Sequence, residues 1–83
     1  MLSVKILGTG CANCKRLEQM SRKAAATLDL EAEFVKVTEI QEIMAYGVMS
    51  TPGLVINEKV VSYGRIPSPT EVSTWLTDAL QAD

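Results

Sequence analysis

"YGVMSTPGLVIN", residues 46–57, joins a helix stop, a proline and a short apolar run within one stretch of an 83-residue chain. Pro52 has no N–H to donate, so within a sheet it sits only at a strand start or an edge. It precedes Gly53-Leu54-Val55-Ile56, which reads as a short apolar strand. Asn57-Glu58 is the turn, and Lys59-Val60-Val61-Ser62-Tyr63 returns antiparallel. Upstream, Gly47 reads as the left-handed C-cap of a short helix. Thr38 is predicted to cap the start of that helix with Gln41 as its capping-box partner, and Ile40, Ile43 and Met44 form its apolar stripe.

Farther out, the apolar period alternates between two and 3.6. Ser3–Leu7 is β-prone, ends at Gly8 and reads as a buried strand. A helix is predicted from about residue 12 to residue 28, because Leu17, Met20, Ala24 and Leu28 recur at steps of three and four. Lys15, Arg16, Arg22 and Lys23 lie off that stripe, and Asp29-Leu30-Glu31 makes the connection. "AEFVKV" (32–37) reads as a second strand, with Val35 and Val37 on one face and Phe34 on the other. The last helix, predicted over 69–82, has the clearest start. Ser68 caps it, Pro69 takes its first position and Glu71 closes the capping box. Val72, Trp75, Leu76, Ala79 and Leu80 form its apolar face, which makes Trp75 a core residue.

The resulting order is β-α-β-α-β-β-α in one domain over residues 1–83, an α/β sandwich of two or three layers. The first two strands are expected to pair in parallel through a right-handed crossover. With 47% hydrophobic and 22% charged residues the composition is that of an ordinary globular domain. A net charge of −2 with scattered lysines and arginines shows no basic patch, so no nucleic-acid partner is expected. No apolar run is long enough to span a membrane. The N-terminal stretch is interrupted by Lys5 and Gly8 and lacks the apolar core of a signal peptide, so a cytoplasmic protein is expected. The chain is also expected to be a monomer.

Cys11 and Cys14, in "LGTGCANCKRL" (7–17), are the only cysteines. A bridge across two residues closes almost no loop, so it has little to do as a structural staple. Two thiols can hold a soft two-coordinate ion such as Cu(I), but tetrahedral zinc wants four ligands, and the chain has no histidine. Small metal-handling domains with such a pair would also end on a strand rather than a helix. A redox centre suits the position better. With the helix starting near Ala12, Cys11 stands at its N-cap, where unpaired N–H groups and the macrodipole favour a thiolate. Lys15 adds positive charge beside the pair. Cys14 lies one turn inside the helix and more buried, which makes Cys11 the attacking thiol and Cys14 the resolving one. Gly8 and Gly10 either let the loop pass close to a partner chain or serve as plain turn residues.

The stretches already quoted resemble those of thioredoxins. "CANCK" is similar to their Cys-x-x-Cys-Lys pattern. Tyr46-Gly47-Val48 followed by Pro52 and Leu54-Val55-Ile56 is similar to the stretch where a helix ends and a cis-proline opens the next strand. "GTGCANC" resembles glutaredoxins in its distance from the chain start, and Tyr63-Gly64 matches the pair that ends the hairpin in both groups. The resemblance covers the chain from first strand to last helix and is nearest to small thioredoxin-like redox-active disulfide proteins. It implies a thioredoxin fold, a four-stranded mixed sheet flanked by three helices. It also implies thiol–disulfide oxidoreductase activity without a bound cofactor. Pro52 would be cis and packed against the pair, with the Thr51 backbone pairing with an extended substrate segment. Gly10, Tyr63 and Gly64 would join Thr51 and Pro52 in holding the substrate. The partners implied are a disulfide substrate and an upstream reductase, either thioredoxin-reductase-like or of the glutathione system.

The departures from the family pattern are specific. Gly10 stands where thioredoxins carry tryptophan, and Ala12-Asn13 replaces Gly-Pro between the cysteines. Lys5 replaces a buried aspartate six residues before the first cysteine and reads as a solvated lysine snorkelling past an edge. "IPSPTE" (66–71) does not reproduce the Thr/Ser-Asp with which glutaredoxins hold glutathione. The competing class is a binding module whose two thiols are switched by redox or hold Cu(I) or zinc.

Overall fold

The computed structural model describes residues 2–81. Seven elements follow the predicted order: β1 (Leu2–Leu7), α1 (Ala12–Thr27), β2 (Ala32–Val37), α2 (Ile40–Ala45), β3 (Gly53–Ile56), β4 (Lys59–Tyr63) and α3 (Pro69–Gln81). The predicted last residue of α3, residue 82, lies outside the described residues. The sheet order is β2-β1-β3-β4. β1 pairs with β2 in parallel and with β3 antiparallel, and β3 pairs with β4 antiparallel. The result is a four-stranded mixed sheet flanked by three helices, the thioredoxin fold.

The pleat of β1 divides the core in two. Leu2, Val4 and Ile6 pack with Leu17, Ala24 and Ala25 of α1 and Val72 and Leu76 of α3. Leu7 faces the other way and packs with Val37, Val55, Val48 and Ile43 of α2. Period two in the strands and 3.6 in the helices thus resolve the layering into three, with α1 and α3 on one face and α2 on the other. β3 is buried along its whole length, which explains its unbroken apolar run. Trp75 packs against the larger core, as its place on the stripe requires.

Two end signals differ from the sequence expectation. Thr38 does not cap α2. The N-cap is Glu39, which makes no side-chain hydrogen bond, so the Thr38–Gln41 capping box does not form. A helix of six residues depends on burial more than on its cap, and Ile43 supplies that burial. The apolar stripe of α2 is correspondingly narrow, since Ile40 and Met44 are 63% and 65% exposed. α1 stops at Thr27, and Leu28, expected on its buried stripe, lies at the C-cap and is exposed. Asp29 takes a left-handed φ of 56°. The Leu30 N–H donates to Ala25 O at 2.9 Å and the Asp29 N–H to Ala26 O at 3.1 Å. This is a Schellman closure, reached with aspartate in place of glycine.

α3 starts as its sequence demands. The Glu71 N–H donates to Ser68 Oγ at 3.2 Å, while Glu71 Oε1 accepts the Ser68 N–H at 3.0 Å. Arg65 adds a bidentate pair to the same carboxylate, at 3.1 and 2.9 Å. The Arg65 guanidinium, and then the Ser68 N–H, hold the Glu71 carboxyl down to about 2 from an ordinary 4.5. A depressed folded value means stability that is present above pH 4.5 and lost as pH falls toward 2. Thermal melts of wild type and Glu71→Gln across that window should therefore converge at the acid end, the wild type being the more stable only above it. A melting difference that does not change with pH would remove the charge from this cap's role.

Candidate active site

Cys11 and Cys14 are joined as a disulfide with Cα atoms 5.0 Å apart. Cys11 is the N-cap of α1, with extended φ and ψ of −66° and 165°. Its sulfur accepts the Cys14 N–H at 3.1 Å, and its carbonyl accepts the Lys15 N–H at 3.0 Å. The sulfur thus does the work of a capping serine or aspartate, and a thiolate there meets the free N–H groups of the first turn. The first turn holds no acidic residue to oppose such a charge. Cys11 is exposed, whereas Cys14 is 5% exposed. One sulfur is therefore open to a partner and the other is enclosed behind it.

Gly8 makes that enclosure possible. A Cβ placed on Gly8 would overlap Cys14 Sγ, lie 3.2 Å from Cys14 Cβ and come within 3.9 Å of Thr51 Cβ. The absence of a side chain at the end of β1 therefore lets the buried sulfur and the 51–52 segment converge. The Thr51–Pro52 peptide bond is cis, with Pro52 buried and Thr51 exposed. Pro52 O accepts the Gly64 N–H at 3.0 Å, which ties the end of the hairpin to this segment. Among the described residues the Thr51 backbone has no hydrogen-bond partner in the chain.

The remaining predicted residues fall around these. Gly10 has φ of +91° with nothing within 4 Å of a built Cβ, so its glycine serves the backbone conformation and leaves the approach to Cys11 open. Tyr63 is exposed beside Gly64 at the hairpin end. Lys15 is exposed on α1 and shares with Cys14 the wall of a small cavity. A larger apolar groove of about 640 Å³ begins at Thr51 and Thr9 and runs along Met44, Ile40 and Met49. Met49 is 95% exposed there.

The family model for the thioredoxin domain matches residues 2–77. The chain belongs to the thioredoxin family. It is 38% identical over 77 residues to a thioredoxin of Methanothermobacter thermautotrophicus, covering 93% of this chain and all of that protein. A thioredoxin of Methanocaldococcus jannaschii is 37% identical over 81 residues, 98% of this chain and 93% of the relative. The oxidised thioredoxin from Plasmodium falciparum superposes with a TM-score of 0.62 at 18% identity, covering 93% of this chain and 79% of that one. That last likeness bears on the fold. Family membership together with the Cys11–Cys14 disulfide makes the chain a thiol–disulfide oxidoreductase, acting on disulfides with a reductase behind it.

Where this thioredoxin-family chain departs from the pattern, its structure shows what fills the gap. Lys5 lies on the α2 face of the sheet, its side chain 25% exposed, and is paired rather than free in solvent. Its Nζ donates to Tyr46 OH at 2.8 Å, pairs with Glu58 and lies 5.5 Å from the Tyr46 ring centroid. The Glu58 carboxylate, and then Tyr46, raise the Lys5 ammonium above its ordinary value. The same ammonium holds Glu58 below the carboxylate range. Lys5 therefore sits on the interior strand β1 against Tyr46 and Glu58, on the face opposite α1. Nothing in the periodicity of β1 or of α2 announces this contact, because its three members come from β1, the C-cap of α2 and the β3–β4 turn. Among the described residues no helix is long and apolar enough to cross a membrane.

Proposed function

We propose that this chain reduces protein disulfides by dithiol exchange, with Cys11 as nucleophile and Cys14 as resolving thiol. The observation that carries the reading is the asymmetry of the pair: an exposed sulfur capping a helix and a second sulfur 5% exposed one turn on. The reduced Cys11 thiolate attacks the substrate disulfide and forms a mixed disulfide, expelling one substrate thiolate. Cys14 then attacks Cys11 Sγ, which releases the second substrate thiolate and leaves the Cys11–Cys14 disulfide. Two electrons have passed to the substrate. The Thr51 backbone and buried Pro52 hold an extended substrate segment by main-chain pairing, tolerant of its side chains. Gly10, Tyr63 and Gly64 border that segment, and Lys15 favours the thiolate form. A reducing cytoplasm is the setting in which such a pair returns to the dithiol.

A coupled assay tests this reading. Reduction of a disulfide-linked protein is followed by NADPH consumption, with thioredoxin reductase in one arm and glutathione reductase plus glutathione in the other. Turnover in at least one arm, lost in Cys11→Ser, is expected. Because "IPSPTE" lacks the glutathione-binding pattern, the reductase arm should be the faster. No turnover in either arm, with stoichiometric Cu(I) or zinc held against physiological competitors, would overturn the reading in favour of a metal-handling module.

A further inference from the structure

Sulfur is open to solvent on this surface outside the cysteine pair. Met49 is 95% exposed and Met44 65%, and both line the apolar groove of about 640 Å³ that begins at Thr9 and Thr51. Met20, by contrast, packs against the larger core. Neither groove methionine holds the fold together, since Ile43 supplies the buried contact of α2 and Met49 lies in the loop beyond it. A thioether sulfur accepts an oxygen atom once small oxidants reach it. In the disulfide state Cys11 and Cys14 are bonded to each other and offer no thiolate to compete for the oxidant. Among the described residues Met44 and Met49 are then the most open thioethers.

We propose that Met44 and Met49 form a modification site for hydrogen peroxide, and that their sulfoxides weaken binding of protein disulfides. The effect on turnover rests on the substrate path proposed above. A thioether lone pair attacks one peroxide oxygen, so that an S–O bond forms as the O–O bond breaks. The expelled hydroxide takes the proton from that oxygen and leaves as water. The sulfur has lost two electrons and the peroxide has gained them. Thr9 lies two residues before Cys11 and Thr51 immediately before Pro52, so the groove adjoins both sides of the pair's surroundings. A segment with its sulfur at Cys11 and its backbone at Thr51 lays neighbouring apolar side chains against Met44, Met49 and Ile40. Sulfoxidation turns a flexible apolar side chain into a polar, chiral one. The same substrate side chains then meet a polar wall and lose the gain from leaving water. Peroxide thus acts on the chain while it waits as the disulfide, and leaves the cysteine pair itself intact.

The test starts from the disulfide form, treated with hydrogen peroxide, cleared with catalase and then reduced with dithiothreitol, which leaves sulfoxides in place. Peptide mapping by mass spectrometry should find one oxygen on Met44 and one on Met49 before Met20 gains any. In the coupled assay KM for a disulfide-linked protein should rise about tenfold, the lower end of what a mismatched group in an apolar pocket costs, while turnover of bis(2-hydroxyethyl) disulfide, too small to need the groove, stays within about twofold. Repair by methionine sulfoxide reductase should restore KM. The double variant Met44→Leu/Met49→Leu should show no peroxide-dependent change in KM. Oxygen on Met20 ahead of the other two, an unchanged KM in the doubly oxidised protein, or the same rise in the double variant would each overturn the proposal. Untreated protein inactive on both disulfides would instead overturn the dithiol-exchange reading, and the peptide map would still decide the modification.

Discussion

Cys14→Ser is expected to stop turnover and to accumulate a covalent adduct of substrate on Cys11. The first attack depends on Cys11 alone, an exposed sulfur at the N-cap of α1, and should proceed at close to its normal rate. The second step normally occurs between two sulfurs held on adjoining turns, with their Cα atoms 5.0 Å apart. Well-oriented intramolecular reactions reach effective molarities of about 10⁵ M or more, so a millimolar external thiol leaves resolution slower by more than about 10³-fold. Intact-mass measurement after exposure to a disulfide-linked protein should show one substrate chain added, removable by dithiothreitol. Cys11→Ser should show none. An adduct of comparable yield on Cys14 in the Cys11→Ser variant would invert the roles of the two thiols.

Gly8→Ala should be the most damaging single-atom addition near the site. Its Cβ would overlap Cys14 Sγ and sit 3.2 Å from Cys14 Cβ, both on the backbone-anchored first turn of α1. Neither atom is the far end of a flexible side chain, so β1 or α1 must shift, at a cost of about 1–3 kcal/mol by analogy with overpacked cores. Gly10→Ala offers the contrast. Nothing lies within 4 Å of its Cβ, and only its φ of +91° resists substitution. Urea denaturation of the oxidised proteins should rank Gly8→Ala below wild type by that amount. Most of the deficit should vanish when Gly8→Ala is compared within a Cys14→Ala background, because the clashing sulfur is then gone. Strict additivity of the two substitutions would defeat the steric account.

How much was legible in the chain follows from the range over which each signal acts. The α3 capping box is a contract between residues 68 and 71, and it forms as read. The β3–β4 hairpin turns at Asn57-Glu58, where both residues take positive φ of 51° and 67°. The N-cap position of Cys11 was likewise readable from a glycine-flanked pair ahead of an apolar stripe. Thr38 failed as a cap for the opposite reason. Six-residue α2 is held through Ile43 by the sheet beneath it, and its start follows that packing rather than the local hydroxyl. Met44 and Ile40 had the right spacing for burial, but so short a helix covers only one turn's width of sheet.

Sequence alone determined the element order, the redox pair and the family, because those rest on periodicity, caps and short motifs that act within a few residues of chain. Only the tertiary structure decided what surrounds the buried sulfur. Gly8 comes from β1, Glu18 from α1, Lys36 from β2 and Thr51 from the segment before β3. They meet at Cys14 because the sheet brings the end of β1 beside β2 and β3. No local pattern records that meeting, since the energy of packing a side chain depends on distance in space and not on separation along the chain.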